Sequence, residues 1–192
     1  MKKLLALLLA LTLCVSAAFA AEGVFDYTVF EGNEDIDFEI DRFDKSWIIA
    51  MIIDADMLTG FTVQGTLDGE ITGTALAFNG DNCDEVKVLL DDTMYTFDTR
   101  MQEAILDVGG CIILLTPETE PFFQALATAE TVDIRFTTVD DEVIDTSITG
   151  SDLEEIQFVL TELFAQDVMN CYTEDGEGIW EVTGLLHPMT VD

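Results

Sequence analysis

The chain has 192 residues, with 39 Asp and Glu against seven Lys and Arg and a formal charge of −32 at pH 7. Such a charge repels nucleic acid and anionic membrane surfaces, so neither is expected as a partner. A single histidine, His187, lies near the end of the chain, and no Gly-rich phosphate loop, dinucleotide fingerprint or H-E-x-x-H motif occurs. Cofactor enzymes and His-based hydrolases therefore lack the residues they need.

Residues 1–20 carry Lys2 and Lys3, an apolar run from Leu4, and Ala18-Phe19-Ala20 as a small-x-small cleavage site. This reads as a secretory signal peptide, leaving residues 21–192 as one acidic β-rich domain that is secreted or held in the cell envelope. A retained anchor is the other reading, since residues 4–21 carry no charge. A lipidation signal at Leu11-Thr12-Leu13-Cys14 is disfavoured by the leucine in its third position. Cleavage leaves five basic residues and three cysteines, Cys83, Cys111 and Cys171. An odd count permits one disulfide, expected between Cys83 and Cys171, with Cys111 as a small buried hydrophobe opening CIILL.

In chain order, residues 24–30 place Phe25, Tyr27 and Val29 on one side of an expected first strand. Residues 34–41 alternate cleanly, with Ile36, Phe38 and Ile40 opposite Asp35, Asp37, Glu39 and Asp41. Four carboxylates along one strand face are read either as a solvated face or as a calcium site, although positions two apart on a strand do not converge on a point. Residues 47–53 form a continuous apolar run, expected as a central strand buried on both faces. A hairpin follows around Asp68-Gly69. The turn over residues 79–85 offers Asp81, Asp84 and Glu85 as a second cation candidate, without the spacing of a helix–loop–helix calcium site. Val86 to Leu90 and Met94 to Asp98 read as another hairpin, and residues 111–115 as an apolar strand. Pro121 then opens a short helix carrying Phe122, Phe123 and Leu126.

Residues 131–171 are the most legible stretch. Val132, Ile134 and Phe136 alternate with Asp133, Arg135 and Thr137, and after Asp140-Asp141-Glu142 a second alternating run reaches Ile148. Arg135 is expected to pair with Asp133 or Asp145. Ser151 and Glu154 stand at capping-box spacing, and Leu153, Ile156, Leu160, Leu163 and Phe164 give the apolar stripe of an amphipathic helix. A last strand is expected around Trp180 and Val182. The whole indicates an α+β fold, mainly antiparallel sheet in a sandwich or half-barrel, with two helices in the C-terminal half and the longer one on the sheet.

The order short helix, strand, hairpin, loop, helix, with Leu126, Ala129, Val132, Ile134, Phe136, Ile148 and Leu153 at matching steps, resembles the C-terminal part of small secreted β-rich bacterial domains of the invasion-associated locus B type. The resemblance covers about 55 residues and carries no signature motif. It implies an envelope or secreted β-rich domain with no catalytic site to carry over.

No catalytic or cofactor-binding residue is singled out. The expected function is a non-enzymatic binding or structural domain with a protein or glycan partner. A carboxylate-based glycan hydrolase needs only two suitably separated acids, and Trp47, Trp180 and Tyr172 are either sugar-stacking or core residues. A calcium-dependent adhesion module is the third possibility.

Overall fold

The computed structural model describes residues 24–54, 59–78, 83–98, 111–116, 118–138, 140–166 and 189–190. After a 3₁₀ turn at Tyr27–Phe30, the strands are β1 (Phe38–Asp41), β2 (Ser46–Asp54), β3 (Thr59–Thr66), β4 (Ile71–Phe78), β5 (Cys83–Leu90), β6 (Thr93–Asp98) and β7 (Cys111–Leu114). Helix α1 (Glu120–Leu126), β8 (Val132–Thr138), β9 (Val143–Ile148), helix α2 (Ser151–Ala165) and β10 (Met189–Thr190) follow. One sheet has the order β1-β2-β3-β4-β7 and the other β10-β6-β5-β8-β9. Every pairing is antiparallel. This is the mainly antiparallel α+β architecture that the alternation of apolar residues indicates.

The inner faces share one apolar core. Trp47, Ile49, Phe61, Val63, Leu76 and Phe78 of the first sheet, and Val86, Val88, Phe97, Ile134 and Phe136 of the second, are all buried. Phe78 meets Phe136 edge-on at 5.5 Å between ring centroids, which joins the two sheets directly. Phe122 of α1 packs edge-on against Tyr95 and Phe97 of β6. Helix α2 adds Leu153, Ile156, Val159, Leu160 and Leu163 to the same core. Two glutamines tie it to its neighbours: the mid-helix Gln157 amide donates to the carbonyls of Leu126 and Ala129, and Oε1 of the C-cap Gln166 accepts from the Asp26 N–H.

Three local expectations are corrected. Residues 24–30 do not form a strand, because the Asp26 carboxylate accepts from the Thr28 N–H at 3.1 Å and closes a turn that competes with extended backbone. The capping box at Ser151 and Glu154 is not made. Helix α2 starts one residue earlier in register, with Gly150 as N-cap at φ +62°, and no side chain caps it. A glycine adopts that backbone freely on leaving β9. Strand β2 is not buried on both faces: Trp47, Ile49 and Met51 point into the core, whereas Ile48 and Ala50 are half-buried and Ile52 is 53% exposed.

The hairpins at Asp68-Gly69 and Asp91-Asp92 form where the turn residues place them. Gly69, at φ +89°, lies where a Cβ would collide with Val24 and Phe25, and its carbonyl accepts from the Phe25 N–H at 2.7 Å. The N-terminal segment is thus tied down, and Phe25, Tyr27, Phe30 and Phe38 surround the Trp47 ring. The expected strand around Trp180 and Val182, the turn residues 79–82, and residues 171, 172 and 187 lie outside the described residues. Cys111 is fully buried, as its apolar setting implies.

Candidate functional site

Two features at opposite ends of the β1–β2 hairpin stand out, a cleft and a tip. At the open end, Asn33 Oδ1 accepts from the Asp35 N–H at 3.1 Å, and Ile36 is buried at 6% exposure. That anchor leaves Asp35 and Asp37 exposed on either side of it. The Asp37 carbonyl accepts from the Ala50 N–H at 3.3 Å, which holds this segment beside β2. Across from it stands the first turn of α2. Asp152 and Glu155, three apart, share one helix face. Together these four acids line a cleft of about 260 Å³ whose apolar lining comes from Ala50, Met51, Ile52 and Ile53.

The electrostatics of the cleft follow from that crowding. Partial burial, then the carboxylates of Asp152 and Asp35, raise the Glu155 carboxyl above its ordinary value. A carboxyl that holds its proton more tightly beside ionised ones is the arrangement that acid catalysis on glycosides uses, and it is also what any acidic recess that receives a cation produces.

The four-carboxylate face read from residues 35–41 is divided by the structure. Asp35 and Asp37 line the cleft, Glu39 is exposed opposite Ile48, and Asp41 turns back to the chain. Asp41 Oδ1 accepts from the N–H groups of Phe43 and Asp44 at 2.8 and 3.1 Å. Among the described residues no group of three or more His, Cys, Asp or Glu is arranged to hold a metal ion. Of the second cation candidate, Asp81 and the side chain of Asp84 lie outside the described residues, and Glu85 pairs with Lys87 at 2.7 Å.

The tip is the second feature. Phe43, in the turn between β1 and β2, is 99% exposed, with Arg42 and Lys45 exposed beside it. Asp41 organises this turn through the two amide bonds, and the Lys45 carbonyl accepts from the Leu67 N–H at 2.8 Å, fastening the base of the tip to the β3–β4 turn. Among the described residues the ion pairs are Lys87–Glu85 and Arg135–Asp145, so neither Arg42 nor Lys45 is engaged. Arg135 donates from Nε and Nη2 to the two carboxylate oxygens of Asp145, at 2.6 and 2.8 Å, one of the two partners its position allows.

Trp47 is a core residue, 1% exposed, with its indole N–H on the Thr66 carbonyl at 3.1 Å. It offers no face to a sugar. Asp152, Glu155 and Phe43 were not marked by any motif. The usable signals are a pair of acids three apart near the start of a helix and an aromatic residue inside a polar turn, DRFDK. The sequence matches no family model, and no match is found among the curated proteins or the solved structures.

Proposed function

We propose that this chain is a secreted or envelope-associated domain that works by binding, without catalysis of its own. The observation that carries the reading is Phe43. A fully exposed aromatic ring, held on a turn that is already ordered, contributes nothing to the core and suits an anchor for a partner surface. Aromatic and arginine side chains are the residues that interfaces enrich, and Arg42 stands next to Phe43. The compartment is supported by the charge pattern and cleavage site of residues 1–20, and the locus B type resemblance of the α1–β8–β9–α2 segment supports the same setting. Among the described residues no helix is long and apolar enough to cross a membrane.

A second reading, a carboxylate-based glycan hydrolase, is favoured by the Glu155 carboxyl raised beside three other acids in a cleft. The two readings separate in one assay. Purified protein incubated with a panel of chromogenic glycosides and polysaccharides is expected to show no turnover above buffer. Turnover that disappears in Glu155→Gln would replace the binding reading with the hydrolytic one.

A further inference from the structure

We infer that the free edge of β9 takes up an extended segment of another protein, one that alternates basic with apolar residues and adds to the second sheet as an antiparallel strand. This edge belongs to the second sheet, apart from the Phe43 tip. Strand β9 ends the order β10-β6-β5-β8-β9. The Thr138 N–H donates to the Glu142 carbonyl at 2.9 Å, which makes Thr138 and Glu142 a hydrogen-bonded pair. Such pairs alternate along an antiparallel ladder. In the register of β8 with β9, Ile144, Thr146 and Ile148 therefore bond to β8, while Val143, Asp145 and Ser147 turn their backbone groups away from it. Those three residues present one N–H and one C=O each at the edge, and these backbone groups have no partner among the described residues.

Sheet edges are ordinarily blunted by shortness, proline, lysine or a bulge. Strands β1, β7 and β10, which end the sheets elsewhere, have four, four and two residues. Strand β9 has six, keeps an unbroken register with β8, and its sequence VIDTSI holds neither proline nor lysine. Its charged residue, Asp145, is held by Arg135 of its own sheet and so does not stand against an arriving strand. Val143 is 53% exposed and Ile144 is half-buried at the margin of the core, apolar surface that an added strand would cover.

Charge selects the partner. Residues 131–150 carry Asp133, Asp140, Asp141, Glu142 and Asp145 against the single base Arg135. Asp140, Asp141 and Glu142 are exposed at the start of β9, and Glu154 is exposed just beyond its end. A second copy laid antiparallel along β9 would set each acidic turn against the other's Glu154, a repulsive arrangement. A foreign segment with lysine or arginine on the face shared with Asp145, and β-branched residues on the face shared with Ile144, meets both requirements. Its cations lie among the acids, and its apolar residues extend the core. In antiparallel pairing the residues opposite Val143, Asp145 and Ser147 carry both the cations and the N–H groups that face β9.

An alternating Lys-Val octapeptide with acetyl and amide termini is the probe, titrated into the full chain at about 0.15 M ionic strength and up to about 1 mM peptide, with binding and amide exchange followed by NMR. The peptide is expected to bind and to slow exchange of the Val143, Asp145 and Ser147 amide protons. N-methylation of its lysine backbone nitrogens keeps every charge but removes the N–H groups aimed at β9, and is expected to weaken binding at least about tenfold. Ser147→Pro removes an outward N–H and no bond to β8, and is expected to weaken binding similarly while circular dichroism shows the fold retained. Should that variant not fold, the methylated peptide still decides. No binding up to about 1 mM would overturn the inference. Equal binding of the methylated peptide would also overturn it, assigning the attraction to the acidic body alone. Protection at residues 42–45 in place of β9 would move the peptide to the tip and overturn it as well. Slowed exchange at Val143, Asp145 and Ser147 that grows with protein concentration without peptide would give the edge to a second copy, with the same result.

Discussion

On the outer face of β8 and β9, Asp133, Arg135, Asp145 and Ser147 are all exposed, whereas on the outer face of β4 and β7 Ala75, Ala77 and Ile112 are as buried as the core. Those three form a small apolar cluster of their own, with Leu114 against it. The sheet of β5, β6, β8 and β9 thus turns a charged, solvated face outward, as a sheet with one buried side does. The first sheet is closed at its β4–β7 half and open at its β1–β2 half, where Ile52, the cleft and the Phe43 tip are found. The difference locates the interaction features: the second sheet spreads charge over its outer face and exposes Val143 at its β9 edge, while Ile40, Phe43 and Ile52 are exposed along one hairpin of the first.

That contrast can be broken or sharpened by substitution. The largest effect is expected where the sheets meet. Phe136→Ala removes the ring that faces Phe78 and should cost about 3–5 kcal/mol in urea unfolding, while Ser147→Ala on the exposed face of the same sheet should stay within about 0.5 kcal/mol. Equal effects would mean that the two faces of this sheet do not differ as described.

Next comes the close approach inside the first sheet. A Cβ on Gly65 would lie 2.5 Å from the Trp47 ring and 2.6 Å from the Glu70 carbonyl oxygen. The indole is boxed by four aromatic residues and cannot give way, so Gly65→Ala should destabilise by about 1–3 kcal/mol. Thermal unfolding followed by Trp fluorescence measures it.

The smaller effects have opposite pH signs on the two sheets. Beside the first sheet, Glu155 has a raised folded value, so it favours the folded state below its ordinary value and that contribution is lost as pH rises through the folded one. Glu155→Gln should therefore raise Tm at neutral pH, by no more than about 2 °C because solvent screens a part-exposed group, and match wild type near pH 3. On the second sheet, the two-pronged hydrogen bond from Arg135 holds the Asp145 carboxyl below its ordinary value. Its contribution is present above the ordinary value and lost as pH falls through the folded one. Asp145→Asn should lower Tm slightly at neutral pH, by about 1 °C or less for an exposed pair, and converge on wild type in acid. Calorimetry across pH 3–8 reads both.

The same contrast explains what the sequence disclosed. The β8–β9 hairpin was legible because one face is solvated, so Val132, Ile134 and Phe136 alternate with charged neighbours and the period is visible. Strands β4 and β7 could be recognised from ALAF and CIIL, but residues buried on both faces carry no alternation that fixes which side faces the core, and their pairing across a long connection left no mark. Asp26 defeated the expected first strand through a single side-chain bond that composition does not display. The site was less legible than the fold. The carboxylates at residues 35–41 were visible as a row, yet two of them belong to a cleft only because α2 brings Asp152 and Glu155 opposite them, a contact between segments more than a hundred residues apart.

The central claim is that the Phe43 tip of the β1–β2 hairpin is independent of the core and open to a partner. Urea unfolding of Phe43→Ala tests it most directly. The account predicts a stability within about 0.5 kcal/mol of wild type, because the ring is 99% exposed. A loss of more than about 1 kcal/mol would contradict it.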